Sequence, residues 1–146
     1  MHWKIVTVGK PSLGWAREAV EDYLQRLTRM TKVEWIALKP GRAVEIEARM
    51  LELGRGHLCI ALDERGKERR SVELARWIAD REMSSTKGVC LFVGGSDGHG
   101  DALRQAVQET WSLSRLTLQH ELALVVLMEQ IYRAYSIHRG DPYHRE

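Results

Sequence analysis

Short apolar runs of strand length alternate with segments of helical periodicity along the whole chain. The runs fall at residues 3–8, 33–38, 57–62 and 89–93, with a short fifth piece near Leu113. Runs of this length suit strands covered on both faces, and the helical segments between them are the crossovers that parallel strands require. The clearest helix follows Ser12, expected as its N-cap, and sets Leu13, Ala16, Val20, Tyr23, Leu27 and Met30 on one core-facing stripe. Further helices are expected at 44–53, 71–81, 101–110 and 120–137. No linker, repeat or low-complexity stretch divides them, so residues 1–146 predict a single α/β domain with a mainly parallel, doubly wound sheet flanked by helices.

The last helix differs from the rest. Residues 122–128, LALVVLM, are apolar at every position and leave no wet face along about two turns. One side can lie on the sheet, and a second copy of the chain is the simplest cover for the other, because two-fold dimers are the commonest oligomers. The competing reading is a fully internal helix in a monomer; a homodimer is the expectation, because a last helix in a small α/β domain normally lies on an outer face. That run is also the longest apolar stretch, too short to cross a bilayer, and the opening MHWKIVTVGK lacks the apolar core of a secretory signal. A cytoplasmic location with no membrane partner follows as the expectation.

Composition adds bounds rather than chemistry. A hydrophobic content of 44% and a charged content of 29% are ordinary globular values, arguing against disorder. Cys59 and Cys90 lie inside apolar runs and read as buried reduced thiols. A net charge of +2 is too small to imply nucleic-acid binding by itself. Two local basic clusters stand out: Arg65, Lys67, Arg69 and Arg70, and then Arg133, His138, Arg139, His144 and Arg145. Such runs are by default solvated faces.

Three motifs begin and then fail. Gly9 and Gly14 have P-loop spacing, but Trp15 and Ala16 stand where Lys and Ser/Thr are needed. His120-Glu121 opens like a zinc-protease helix, yet Leu124 occupies the second ligand position, and no metal is expected. Gly94, Gly95, Gly98 and Gly100 lack the spacing of a dinucleotide fingerprint. Adjacent glycines at the carboxyl end of a parallel strand either let a ligand approach the backbone closely or simply make a tight turn with left-handed residues. The segment 112–118 favours the first reading: Ser112-Leu113-Ser114 and Leu116-Thr117-Leu118 alternate out of phase, with a break at Arg115. A regular strand cannot do this without a bulge or kink. An irregular loop between apolar side chains offers backbone N–H and C=O groups in an apolar pocket, suited to a flat ring with polar edges such as adenine, and Leu62 can supply another wall.

At these residues the sequence resembles the RlmH family, SPOUT-class methyltransferases that modify N3 of a pseudouridine in large-subunit ribosomal RNA. The likeness runs nearly end to end, through VGK at 8–10, LDERGK at 62–67, FVGGSDG at 92–98, WSLSRLTLQH at 111–120, EQIYRAYSI at 129–137 and PYHRE at 142–146. It implies S-adenosylmethionine held by Leu62, Gly94, Gly95, Gly98 and the stretch Leu113, Ser114, Arg115, Leu116, Thr117 and Leu118. It also implies a C-terminal trefoil knot, which the general avoidance of threaded chains would not suggest, and a site shared across the homodimer. The target it implies is 23S ribosomal RNA within the assembled ribosome, where shape supplies specificity that a small net charge does not.

By the same resemblance Tyr143, His144, Arg145 and His120 become the candidate catalytic groups. His144 can act as base or hydrogen-bond partner, Arg145 can hold phosphate or a ring oxygen, and Tyr143 can stack on the base. Arg133 and His120 are expected as their neighbours once the last helix folds back on the cofactor loop. Arg65, Lys67, Arg133 and Arg139 become candidate RNA contacts, with Arg69 and Arg70 beside them, although Glu129 and Arg133 are also spaced for an intrahelical ion pair. Gln119 stands where the family commonly has proline, which should loosen the loop, and Leu124 stands where an arginine is usual. The segment between the second and third strands is somewhat short. The alternatives are a ribosome-binding factor that has lost activity and a SPOUT enzyme acting on another RNA such as transfer RNA.

Overall fold

The computed structural model describes residues 1–145; Glu146, the last residue of the PYHRE motif, lies outside the described residues. Five strands form one wholly parallel sheet in the order β2-β1-β4-β3-β5: β1 (His2–Val8), β2 (Lys32–Leu38), β3 (Leu58–Glu68), β4 (Gly88–Val93) and β5 (Glu109–Ser112). All six residues of β4, GVCLFV, are buried, as a central strand covered on both faces requires.

The connections explain the layers. β1 to β2 and β3 to β4 cross the sheet in one direction, while β2 to β3 and β4 to β5 cross in the other. Right-handed crossovers therefore put α1 (Gly14–Thr28) and α3 (Ser71–Met83) on one face, and α2 (Ala43–Leu53) and α4 (Asp101–Ala106) on the other. The two cores agree. Val20 and Leu27 of α1 and Leu74, Ala75 and Ile78 of α3 pack with α5 (His120–Arg139) against one side, and Met50 and Leu103 pack with Val6, Cys59, Cys90 and Phe92 on the other. Both thiols are buried and free, and burial pushes the Cys90 pKa up to about 12. Because β4 sends its connection to one face while its neighbours β1 and β3 send theirs to the opposite face, the gaps on both sides of β4 are topological switch points, where open sheets bind ligands.

Four expectations are corrected here. Ser12 is not the cap of α1: the helix begins at Gly14 after an N-cap Leu13 with no side-chain cap, and Ser12 Oγ instead donates to Glu121 Oε2 (3.0 Å). α4 stops at Ala106, not near Thr110, because Val107 turns extended and Gln108 bonds Cys59 in both directions: its N–H donates to the Cys59 carbonyl, and its Oε1 accepts the Cys59 N–H. That capture starts β5 at Glu109, ahead of its expected place near Leu113. β3 does not end at Leu62 but continues to Glu68 around an excursion at 63–66, so that Leu62 and Lys67 both pair with Trp111.

The all-apolar stretch of α5 is only partly covered. Leu124, Leu127 and Met128 are buried, whereas Leu122 is 36% exposed and Val125 and Val126 are half-buried. Leu124 sits in the core beneath the sheet face, so its apolar character suits the place it occupies. No helix among the described residues is long and apolar enough to cross a membrane.

Candidate active site

A cleft of about 540 Å³ opens at the carboxyl ends of β3 and β4. Three backbone segments build it: the β3 excursion with Leu62, the glycine loop that follows Val93, and the irregular segment from Leu113 into the start of α5. Each segment has a local cause. In the excursion, a Cβ on Gly66 would fall 2.5 Å from the Thr110 carbonyl carbon, so only glycine lets the bulge lie flat on β5. In the glycine loop, Gly95 and Gly98 form an isolated bridge, Gly98 takes φ +71°, and a Cβ on Gly94 would meet the Gly98 carbonyl carbon at 2.9 Å. The third segment leaves β5 at Ser112, whose Oγ donates to the Ser114 carbonyl (2.9 Å), while Ser114 Oγ accepts the Leu116 N–H (2.9 Å). These local bonds replace the strand ladder and produce the phase break seen in the sequence.

Side chains tie the three walls together. The Asp63 carboxylate accepts from Arg65 N, Nε and Nη2 and from Arg104 Nη1, and the Arg65 contact holds its pKa below the usual carboxylate range. Arg104 also donates to the His99 carbonyl and to Asp101, joining the excursion to the glycine loop. Glu64 Oε2 accepts the Thr117 hydroxyl (2.9 Å), joining the excursion to the third segment. His99 lies buried under the loop, with Nε2–H donating to the Phe92 carbonyl (2.9 Å), and burial lowers its pKa. A neutral imidazole there acts as a fixed strut.

The start of α5 is fastened in two ways. Gln119 does not loosen the loop; its Oε1 caps the helix by accepting the N–H groups of Glu121 and Leu122 at 2.9 Å each. The Glu121 carboxylate accepts the Leu13 N–H (2.9 Å) and the Ser12 hydroxyl, so one buried carboxylate satisfies the entry to α1 from a different helix. Chiefly through the Leu13 N–H bond, the Glu121 pKa is lowered. A lowered folded-state pKa stabilises the fold above the ordinary value and is lost as pH falls through the lowered one. Acid unfolding of Glu121→Gln compared with the native protein should therefore show a variant that is less stable at pH 7 and less sensitive to pH below about 4.5. Parallel curves for the two proteins would refute this role for the carboxylate.

Most of the sequence-named residues meet in this one cleft. Leu62, Gly94, Gly95, Gly98, Leu113, Ser114, Leu116, Thr117, Leu118 and His120 all line it. Arg115 does not: its exposed side chain donates to Glu68 Oε1 (2.9 Å). Arg65 lines the cleft but is held on Asp63, while Lys67 belongs to a separate groove with Arg69 and Arg70. Arg69 is built into the structure, packed over the rings of Trp77 and Trp111 and paired with Glu109. The sequence reading gave no site role to Asp63, Glu64, His99, Arg104 or Glu121, although Asp63 adjoins Leu62 and Glu121 is the lone carboxylate in an apolar helical start.

The tail lies elsewhere in the same chain. Tyr143 OH donates to Glu129 Oε1 (3.1 Å), shares a hydrogen bond with Tyr23 OH (2.9 Å) and meets the Tyr132 ring edge-on. Arg133 pairs with Glu129 at 2.7 Å, as the i, i+4 spacing predicts, and its Nη1 donates to His144 Nδ1 (3.1 Å). His120 stands at the first turn of α5, so Arg133 is thirteen residues, about 20 Å, further along the helix. The expectation that the last helix would bring Arg133 and the tail beside His120 fails within one protomer, because α5 is a single continuous helix leading away from the cleft. Arg139, the last residue of α5, is exposed.

Residues 1–144 match the family described as "Predicted SPOUT methyltransferase". Ribosomal RNA large subunit methyltransferase H of Thermus thermophilus is 40% identical over 149 aligned residues, covering 99% of both chains. The protein of the same name from Deinococcus radiodurans is 40% identical over 147 residues, again covering 99% of both. A solved structure, a probable methylase family protein from Haemophilus influenzae Rd KW20, superposes with a TM-score of 0.55 at 10% identity, covering 99% of this chain and 70% of that one, and so shares the fold. A glycine loop and a strand-to-helix segment meeting in one cleft on a parallel sheet, within a chain alike from end to end, are thus those of a SPOUT methyltransferase, and the chain belongs to the ribosomal RNA large subunit methyltransferase H family.

Proposed function

We propose that this protein is a cytoplasmic S-adenosylmethionine-dependent enzyme that methylates N3 of a pseudouridine in 23S ribosomal RNA of the assembled ribosome, acting as a homodimer. The observation that carries the reading is the cleft assembled from the three bonded segments. Its residues fit the cofactor: Leu62, Val93, Leu113, Leu116 and Leu118 offer apolar walls for a flat ring, and the glycine loop and the 113–118 segment offer backbone groups for its polar edges. When bound there, S-adenosylmethionine supplies an electrophilic methyl group. The segment 113–119 lies between the other two walls in this reading and threads the chain into a trefoil knot.

The chain's own residues do the rest. Positioning the acceptor nitrogen in line can supply most of the acceleration, and the imide proton at that nitrogen must leave. His120 at the cleft mouth and His144 in the tail are the groups able to take it. Tyr143 is not a base: burial raises its pKa above the ordinary value, so its hydroxyl stays protonated and serves as a donor or its ring as a stacking surface. Arg145 is exposed and free to reach phosphate or a ring oxygen, and Arg65, Lys67, Arg133 and Arg139 are candidate RNA contacts.

Two features support the dimer. Tyr143, His144 and Arg145 are remote from their own cleft, so a second protomer is the natural source of the tail that completes it. Leu13, Trp15 and Leu122, 38%, 52% and 36% exposed, sit where the Glu121 bonds join the starts of α1 and α5, and such a patch suits a protein partner. Mass spectrometry of ribosomal RNA from a strain lacking the gene tests the reading: one methyl group should disappear from one pseudouridine and return with the gene. Unchanged 23S RNA would overturn it, and a lost methyl in transfer RNA would redirect it.

A further inference from the structure

At the entry to α5, Gln119, His120 and Glu121 form a chain of contacts with a fixed direction. Gln119 Oε1 is taken up by the backbone N–H groups of Glu121 and Leu122, which sets the orientation of the amide and leaves its nitrogen to face the imidazole. That nitrogen lies 3.5 Å from His120 Nδ1. An amide nitrogen donates and does not accept, so Nδ1 is the accepting nitrogen of the ring, and the hydrogen of the neutral imidazole sits on Nε2. Nε2 in turn faces Glu121 Oε2 at 3.7 Å, too long for a hydrogen bond but close enough for charge attraction.

The carboxylate is held in this place. Glu121 is 7% exposed, its Oε1 accepts the Leu13 N–H and its Oε2 the Ser12 hydroxyl, and its lowered pKa keeps it ionised at neutral pH. His120 is half-buried and lines the cofactor cleft. The long contact from Gln119 is readily exchanged for a better donor at Nδ1. A buried carboxylate behind one ring nitrogen and an exchangeable acceptor at the other is the arrangement in which an imidazole takes a proton, because the carboxylate fixes the tautomer and favours the charge the ring acquires. His144 is less suited, since its Nδ1 already accepts from Arg133. We propose that Glu121 is a positioning residue for methyl transfer: it holds the His120 ring so that Nδ1 takes the imide proton, and it stabilises the charge that results. In that step the N3–H bond breaks and its proton passes to Nδ1; the electron pair left on N3 bonds the methyl carbon, and the pair of the breaking S–C bond stays on sulfur. The tail of the second protomer is left to hold the acceptor in line. The proposal rests on the methyl-transfer reading above and deepens it.

A double-mutant cycle tests the assignment. Glu121→Gln keeps an oxygen for the Leu13 N–H and an amide that can bond the Ser12 hydroxyl, so it removes chiefly the charge; His120→Ala removes the ring. These two variants and their combination are assayed for kcat and KM in methyl transfer to ribosomes from a strain lacking the gene, at a temperature where thermal unfolding shows each to be folded. S-adenosylmethionine affinity is measured separately by calorimetry. Expected are losses of kcat of about a hundredfold for His120→Ala and about tenfold for Glu121→Gln, with KM and cofactor affinity within about twofold of the native protein. The double variant should be no slower than His120→Ala alone, because a group that acts through the ring has nothing to act on once the ring is gone. Native kcat in Glu121→Gln, a loss that multiplies in the double variant, or a matching fall in cofactor affinity overturns the proposal. Native kcat in His120→Ala overturns it too, by removing the ring from the reaction. Failure of the underlying reading registers differently, as an unsubstituted protein that transfers no methyl to RNA.

Discussion

Gly94→Val should reduce methyl transfer on the order of a hundredfold, the scale of a displacement of about 1 Å within a site of this kind. The cause is steric. A Cβ at this position would lie 2.9 Å from the Gly98 carbonyl carbon and 3.1 Å from its Cα and oxygen. These are backbone atoms, so no rotamer change relieves the contact, and Gly98 is already committed to φ +71° by the turn that bonds its N–H to the Gly95 carbonyl. The loop must open, and the wall facing the cofactor opens with it. Calorimetry should register a matching loss of S-adenosylmethionine affinity. The loop is at the surface rather than in the core, so thermal unfolding should change little beside these effects. A valine protein that binds the cofactor as tightly as the native one would show that the loop is not its wall.

The same loop marks how far residue patterns alone can lead. β1 and β4 stand out in the sequence because burial leaves apolar runs on them, β4 most clearly, and the edge strand β2 carries an apolar run although none of its residues is fully buried. β5, ETWS, has no such run; its strand state comes from pairing with β3, and Gln108 bonding Cys59 shows that partner overriding a locally helical pattern. In the same way the apolar run ends at Leu62, and only the backbone of Thr110 and Trp111 beneath Gly66 makes 63–66 an excursion from which β3 resumes. The glycines and the phase break at 112–118 were visible because each violates a rule of regular structure. The groups that lock these pieces together were not. Asp63 with Arg104 and Glu64 with Thr117 are bonds across 41 and 53 residues, and no local pattern announces them. The tail was visible only as a family motif, since a polar chain end carries no signal of the Tyr23 and Tyr132 rings that receive it.

Removing residues 143–146 should abolish methyl transfer while leaving S-adenosylmethionine affinity nearly unchanged, because none of the described tail residues, Tyr143, His144 and Arg145, lines the proposed cofactor cleft of its own chain. The stronger test combines this truncation with Gly94→Val. Tyr143 is held on Glu129, nine residues and about 13 Å along α5 from His120, and His144 is held on Arg133, about 20 Å along. If each tail serves the partner's cleft, a mixed dimer of one truncated and one Gly94→Val protomer retains one complete site: the truncated chain contributes the intact cleft and the valine chain the intact tail. Random assortment makes half the dimers mixed, each with one working site of two, so two inactive preparations exchanged together should recover about a quarter of native activity. If the tail serves its own chain instead, no combination of the two holds an intact site, and the mixture stays as inactive as its parts. Recovery would at once require a dimer, assign the tail across it, and explain why α5 keeps Leu122 and its neighbours apolar toward solvent in the single chain.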